Sequence, residues 1–285
     1  MTILPPEFVK GIALLHGDCL DTLKTIPDDY IQLIVTSPPY AKMRKRQYGG
    51  IDEENYVDWF LPRAREFKRV LKPTGTFILN IKENVIQGSR QTYVIRLILN
   101  LIDQGWLWTE EFIWYKTTSF PGRWQYRFRD AWERLLQFNI NREFDIYQDA
   151  VRVPMKEGTK KKNKYLKEKY NSDIAMREIS NSGSGLSYNP KTLMDREYAL
   201  PSNVLQLSTV NNNTGHPATF PASLPNWFIR AFTKENDTVL DPFAGSGTTL
   251  FEAQKISRLA IGCEIHGEYV EEIQKRIREI PSLLL

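Results

Sequence analysis

Cysteine and histidine are scarce in this chain. Cys19 and Cys263 are the two cysteines, and His16, His216 and His266 the three histidines, among 285 residues. Residues so few and so widely spaced exclude a disulfide framework and the clustered spacing of a zinc site, and they fit a reduced, cytoplasmic compartment. Long apolar runs are also missing. The longest, Val94 to Ile102, is broken by Arg96 and Asn100 and falls well short of the ~20 residues that span a bilayer. Pro5, Pro6 and Glu7 stand where a signal peptide would place its apolar segment, so export is not expected. Neither sign of charge dominates: 38 Lys and Arg oppose 34 Asp and Glu, for a formal net charge of +4. That balance admits a polyanionic partner without requiring one. No internal repeat appears at a solenoid period.

What is present is an alternation of short apolar runs with helical patterns, which predicts an α/β fold with a mostly parallel sheet. Strands are expected at Ile12 to Leu15, Ile31 to Val35, Thr76 to Ile81, Val239 to Asp241 and Leu259 to Cys263. Val57, Phe60, Leu61, Ala64, Phe67, Val70 and Leu71 recur at helical spacing. Pro62 inside that pattern predicts a kink or a helix start, and Lys72-Pro73-Thr74-Gly75 its end. Between about Asn141 and Asn213 the composition turns polar and basic. Lys156, Lys160, Lys161, Lys162, Lys164, Lys167 and Lys169 crowd one stretch, and Ser180 to Gly185 and Asn211 to Asn213 read as loop. The expected organisation is one α/β domain made of residues 1–140 and 214–285, interrupted by an insertion at 141–213.

Two loops carry chemistry. Thr238 to Thr249 reads TVLDPFAGSGTT: a strand ending at Asp241, a glycine turn, then a helix. Gly245 and Gly247 allow a tight turn and close approach of a ligand. A second strand ends at Glu264, about twenty residues on, where a carboxylate can accept both ribose hydroxyls. Together they describe a nucleoside pocket. Thr248 follows Gly247 where a phosphate-cradling loop needs Lys, and Leu250 stands where a dinucleotide fingerprint wants a third glycine. A plain strand-to-helix turn is the alternative for this loop taken alone.

The second loop, Thr36-Ser37-Pro38-Pro39-Tyr40, follows the apolar strand Ile31 to Val35. Two prolines fix φ and remove two N–H donors. Ser37 Oγ and the Pro38 carbonyl become acceptors on a stiff backbone beside an aromatic face. Such an arrangement suits a planar base bearing an exocyclic amine; a rigid strand-end turn with a packing tyrosine is the simpler alternative.

With Ser37-Pro38-Pro39-Tyr40 near one end and Asp241-Pro242-Phe243-Ala244-Gly245-Ser246-Gly247-Thr248 near the other, the chain resembles the DNA amino-methyltransferase family in its permuted, β-group motif order. It is most similar to type II restriction-modification enzymes acting on cytosine N4. Gly17-Asp18, Tyr48-Gly49, Arg69 to Gly75, Trp114-Tyr115-Lys116, Trp132-Glu133 and His216 to Pro221 extend the likeness over all but Asn141 to Asn213. In the family that unmatched region is the target-recognition segment.

The resemblance implies a Rossmann-like methyltransferase fold with circularly permuted motifs, and S-adenosylmethionine as cofactor. It places Asp241, Phe243, Gly245, Ser246, Gly247 and Thr248 around the methionine part and Glu264 at the ribose. Asp18 is implied near the cofactor and Phe220 at the methionine end. Ser37, Pro38, Pro39 and Tyr40 form the catalytic loop. Double-stranded DNA is the implied partner, with the base flipped out of its stack and a restriction endonuclease as possible companion. Arg123 and Arg127, interleaved with aromatics, and Lys160, Lys161 and Lys162 are the expected phosphate contacts. Adenine N6 is the alternative target, and a DNA-binding module without catalysis a more distant one. Glu83-Asn84-Val85 matches a signature of carbon-5 cytosine methyltransferases, but those need a nucleophilic Cys after Pro, and neither cysteine here follows one.

Overall fold

The computed structural model describes residues 6–41, 51–118, 125–161, 164, 197–209 and 220–281. The strands are β1 Ile12–His16, β2 Ile31–Thr36, β3 Leu71–Ile81, β4 Val85–Ile86, β5 Ser89–Arg90, β6 Leu107–Lys116, β7 Trp132–Asn139, β8 Val153–Pro154, β9 Tyr198–Ala199, β10 Val204–Leu207, β11 Thr238–Asp241 and β12 Leu259–Glu264. The helices are α1 Cys19–Thr22, α2 Tyr56–Val70, α3 Tyr93–Asp103, α4 Ser223–Phe232, α5 Thr248–Lys255 and α6 Gly267–Glu279. None of the helices among the described residues is long and apolar enough to cross a membrane.

Eight strands form one sheet in the order β1-β12-β11-β2-β3-β7-β6-β10. β1, β12, β11, β2 and β3 are mutually parallel. β7 then runs antiparallel to both β3 and β6, and β10 lies parallel to β6 at the edge. The α/β expectation holds, and all five expected strands are present. Each is longer than its sequence pattern by one residue, except β3, which starts at Leu71 and not at Thr76. From β11 the chain passes through α5 to β12 on one side; from β2 it passes through α2 to β3 on the other. Crossovers that diverge from adjacent strands leave a crevice at the strands' carboxyl ends. β1, the first strand, lies outside β12, the last. The start of the chain thus closes the sheet beyond its end, which is the permuted arrangement.

Helix α2 runs unbroken through Pro62. Tyr56, Phe60, Ala64, Phe67 and Val70 are fully buried on one face. That apolar stripe on both sides of the proline outweighs the roughly 3 kcal/mol an interior proline costs. The helix also ends earlier than expected, at Val70. The backbone N–H groups of Asp29 and Tyr30 donate to its last carbonyls, of Arg69 and Val70, at 3.1 and 2.9 Å. Lys72 to Gly75 then lie within β3, where the pairing jumps from Ile31↔Leu71 to Leu33↔Thr76. They form a bulge in the strand and do not lead into it.

By internal contacts the chain divides into two compact units, residues 1–147 with 203–285, and residues 148–202. The described part of the second unit holds a short 3₁₀ turn, Gln148–Val151, and the β8–β9 pair. β10, inside the stretch 141–213, is an edge strand of the main sheet.

Candidate active site

The carboxyl ends of β2 and β11 lie side by side. Thr36 Oγ1, at the end of β2, donates to Asp241 Oδ1 at 2.7 Å. Thr249 Oγ1, in the first turn of α5, donates to Asp241 Oδ2 at 2.7 Å, and the Phe243 N–H donates to Oδ1 at 3.1 Å. Burial pushes the Asp241 carboxyl up to about 6, against the pull of these three donors. Asp241 therefore pins the two functional loops together, with both oxygens engaged inside the protein.

The glycine turn follows. Gly247 is the N-cap of α5 with φ 81°, a backbone that costs ordinary residues roughly 1–2 kcal/mol. A Cβ there would meet Ile273 Cγ1 and Phe251 Cε2 at 3.0 Å each. Gly245, at φ 51°, differs: a Cβ would meet no protein atom within 4 Å, because its backbone faces open space. Glu264, at the end of β12, accepts from the Gly245 N–H through Oε2 at 2.7 Å and from the His266 N–H through Oε1 at 2.8 Å. These two bonds fix the carboxylate and leave one lone pair on each oxygen for a diol.

A cavity of about 1000 Å³ opens over these strand ends. Its wall includes Ser37, Pro38, Pro39 and Tyr40 from the loop after β2, and Asp241, Phe243, Gly245, Ser246, Thr248 and Glu264 from the ends of β11 and β12 and the glycine turn. Asp18, Phe220 and Arg127 line it too. Gly247 is absent from the wall. It makes the turn by packing under it, because its α-carbon faces Ile273 and Phe251. The open backbone at Gly245, the anchored carboxylate of Glu264 and the aromatic ring of Phe243 suit a nucleoside bearing an amino-acid tail.

Residues outside the expected site also reach the cavity. Arg63 pairs with Asp18 at 2.5 Å, and Asp18 caps α1 by accepting from the Leu20 N–H at 2.9 Å. The Arg63 guanidinium lies over the Trp59 ring at 4.3 Å, and Trp59 meets Phe243 at 5.7 Å between centroids. Trp59 and Arg63 are four apart on α2, a spacing that puts both on one face. Below Tyr40, Asn80 of β3, Lys116 of β6 and Glu133 of β7 line the same cavity. Tyr40 Oη donates to Glu133 Oε2 at 2.8 Å, and Lys116 Nζ donates to Glu133 Oε1 at 2.5 Å. Burial, then the Glu133 carboxylate, hold the Tyr40 phenol well above its usual range, so it stays a neutral donor.

Cys19 and Cys263 also border the cavity. Burial pushes the Cys263 thiol up to about 12 and raises Cys19 as well. Neither is a thiolate at neutral pH, in keeping with their exclusion as nucleophiles.

The basic residues are more dispersed. Arg127 Nη2 pairs with Asp130 at 2.8 Å, and Asp130 also meets Arg90 at 3.0 Å and Lys82 at 3.6 Å. Tyr126 and Phe128, flanking Arg127, are exposed. In the second unit Lys160 and Lys161 are exposed, and Lys160 pairs with Glu157 at 2.8 Å. Arg123, Lys162, Tyr48-Gly49 and His216 to Thr219 lie outside the described residues.

A sheet with a switch point between β2 and β11, and a cavity lined by both the glycine turn and the Ser-Pro-Pro-Tyr loop, define a Rossmann-like methyltransferase. Comparison with known proteins narrows this. A family model described as DNA methylase, the N6/N4 methyltransferases, matches residues 31–275. The chain is 32% identical to the type II methyltransferase M.PvuII of Proteus hauseri, over 93% of this chain and 83% of that one. It is 28% identical to M.BglII of Bacillus subtilis, over 94% and 70%. Among solved structures, the PvuII DNA methyltransferase (cytosine-N4-specific) superposes with a TM-score of 0.70 at 27% identity, covering 95% of this chain and 87% of that one. A putative DNA modification methylase from Thermus thermophilus, complexed with S-adenosyl-L-methionine, gives 0.59 at 25% identity, over 94% and 96%. The chain belongs to the N6/N4 DNA methylase family; it is a type II DNA methyltransferase, and its cofactor is S-adenosylmethionine.

Proposed function

We propose that this enzyme methylates the exocyclic N4 amine of a cytosine flipped out of double-stranded DNA, as the modification half of a restriction-modification pair in the cytoplasm. The observation that carries the reading is the shared cavity, lined both by Ser37 to Tyr40 and by Phe243, Gly245, Ser246, Thr248 and Glu264. The choice of cytosine is supported by Ser37 at the head of the loop and by the likeness to a cytosine-N4-specific enzyme. The restriction partner and the compartment are inferred from the type II relatives and from two free, buried cysteines.

The chemistry follows from the donors and acceptors present. A cytosine amine is a poor nucleophile because its lone pair is delocalised into the ring. Ser37 Oγ and the Pro38 carbonyl take the two amine hydrogens and turn that lone pair out of conjugation. Tyr40 offers its ring face to the base, and the prolines hold both acceptors in place before the base arrives. When bound, S-adenosylmethionine supplies an electrophilic methyl group on its sulfonium. Asp18, Phe243, Gly245, Ser246, Thr248, Glu264 and Phe220 form its binding surface in this reading, with Asp241 and Gly247 shaping the loop. Arg127 with Arg123, and Lys160 to Lys162, neutralise DNA phosphates.

The test is mass spectrometry of nucleosides from unmethylated DNA incubated with the enzyme and S-adenosylmethionine. N4-methylcytosine is the expected product. N6-methyladenine alone would overturn the choice of base, and no methylated base would overturn the catalytic reading in favour of DNA binding without transfer.

A further inference from the structure

A serine hydroxyl has one hydrogen and two lone pairs, so its role toward an amine depends on where its hydrogen points. Ser37 Oγ donates to Tyr40 Oη at 3.3 Å, long for a hydroxyl pair. Tyr40 Oη has one hydrogen and two acceptors within reach: Glu133 Oε2 at 2.8 Å and Asn80 Oδ1 at 3.4 Å. The shorter, charge-assisted bond takes it. Asn80 is oriented by its own donors, since Nδ2 donates to Glu133 Oε2 and to the Arg134 carbonyl at 3.1 Å each. Glu133 is buried, and its other oxygen accepts from Lys116 Nζ at 2.5 Å. Lys116 is held in turn over the Trp114 ring at 4.7 Å.

We propose that Glu133 is a positioning residue for methyl transfer. Anchored by Lys116, its carboxylate draws the Tyr40 hydrogen inward, which turns the Ser37 hydrogen toward Tyr40 and leaves a Ser37 lone pair facing the base amine. The chain of hydroxyls has one direction, and a carboxylate, which only accepts, sets it. Without that terminal acceptor Tyr40 keeps only the long contact to Asn80 Oδ1, at 3.4 Å, and its hydrogen can turn to Ser37 instead. The Ser37 hydrogen is then free to face the amine, donor against donor. Burial of an ion pair is weak support for stability by itself, whereas a fixed hydrogen-bond direction is a use for it.

This inference rests on the amino-methyltransferase reading, and its test is built to fail separately. Single-turnover transfer of labelled methyl to unmethylated plasmid DNA, with enzyme in excess, is measured for wild type, Glu133→Leu, Tyr40→Phe and the double variant. Cofactor affinity and melting temperature are followed in parallel. Each single variant should lose at least tenfold in rate, with cofactor affinity kept within about twofold. The double variant should be no slower than the worse single one, because both cut the same chain. Glu133→Gln, which keeps an oxygen acceptor for Tyr40 and Asn80, should recover at least tenfold over Glu133→Leu. Wild-type rates in either single variant, losses that multiply in the double, or Glu133→Gln as slow as Glu133→Leu would overturn the proposal. Should Glu133→Leu fail to fold, Tyr40→Phe and Glu133→Gln carry the test alone: a tenfold loss in the first beside a smaller one in the second supports it, and any other result overturns it. A wild-type enzyme that transfers no methyl to DNA would overturn the parent reading. The label counts transfer to either base, so the outcome is independent of cytosine against adenine.

Discussion

Thr36 Oγ1 donates to Asp241 Oδ1 across 205 positions of sequence, at 2.7 Å and out of solvent. One hydrogen bond thus joins the residue before the catalytic loop to the residue that begins the cofactor turn. Thr36→Val keeps the shape and removes the donor. It should cost about 2 kcal/mol of stability, the range for a bond to a charged group. Urea denaturation at neutral pH measures it, and an unchanged midpoint would remove Asp241 as the pin between the loops.

Asp241 also makes stability depend on pH. Its carboxyl is pushed up to about 6 by burial, whereas in the unfolded chain it titrates near the usual ~4. Between those values the folded state holds more protons than the unfolded state, so stability falls as pH rises. Its contribution is complete below about 4 and lost once pH passes about 6, a difference of about 3 kcal/mol. Asp241→Asn removes this dependence. The stability of wild type minus that of the variant should decline over this window and level off above it. Parallel pH curves for the two proteins would refute the assignment.

The two glycines of the turn should separate folding from binding. Gly247→Ala places a Cβ at 3.0 Å from Ile273 and Phe251 in a left-handed backbone. It should destabilise the apoprotein by more than the ~1–2 kcal/mol of conformational strain alone. Gly245→Ala carries the strain without the clash, since its Cβ points to empty space. It should fold more stably than Gly247→Ala while binding S-adenosylmethionine at least tenfold more weakly than wild type. Thermal melts and calorimetric titration together check the pair. Equal melting of the two variants, or unimpaired binding by Gly245→Ala, would contradict the geometry.

Ser37 and Glu264 line one cavity from different strand ends, those of β2 and β12, and their removal should have different signatures. Ser37→Ala should lower methyl transfer by at least a hundredfold and leave cofactor affinity near normal. Glu264→Ala should weaken cofactor binding by about 1–3 kcal/mol, because it loses the ribose acceptor and frees the Gly245 N–H. A Ser37→Ala enzyme of normal turnover, or a Glu264→Ala enzyme of normal affinity, would each show that residue's role to be misassigned.

Much of this was legible in sequence because it is local. The strand-glycine turn-helix around Gly245 and Gly247, and the stiff Pro38-Pro39 corner, follow from the backbone preferences of the residues themselves. Spacing along the chain could not say that Pro62 would sit inside a continuous helix. The aromatic stripe of Phe60 and Phe67 makes that possible by packing against the sheet. Nor could it show that Lys72 to Gly75 bulge within β3, since the bulge exists only opposite β2. The basic stretch around Lys160 was visible as composition, yet composition does not tell a phosphate contact from a local ion pair such as Lys160 with Glu157.

The sequence by itself determined the α/β class, the permuted order of the two loops and the chemistry each loop can perform. Tertiary structure alone decided which polar groups stand behind Ser37. Asn80, Lys116 and Glu133 come from three neighbouring strands. They share one face because the registers Asn80↔Leu135 and Trp114↔Glu133 place them there. Side chains alternate across a strand, so a slip of one residue would turn Glu133 to the opposite face. The β3–β7 register is held by the buried face that Phe77, Leu79, Leu136 and Phe138 share, β6 then pairs with β7, and no short stretch of sequence contains that arrangement.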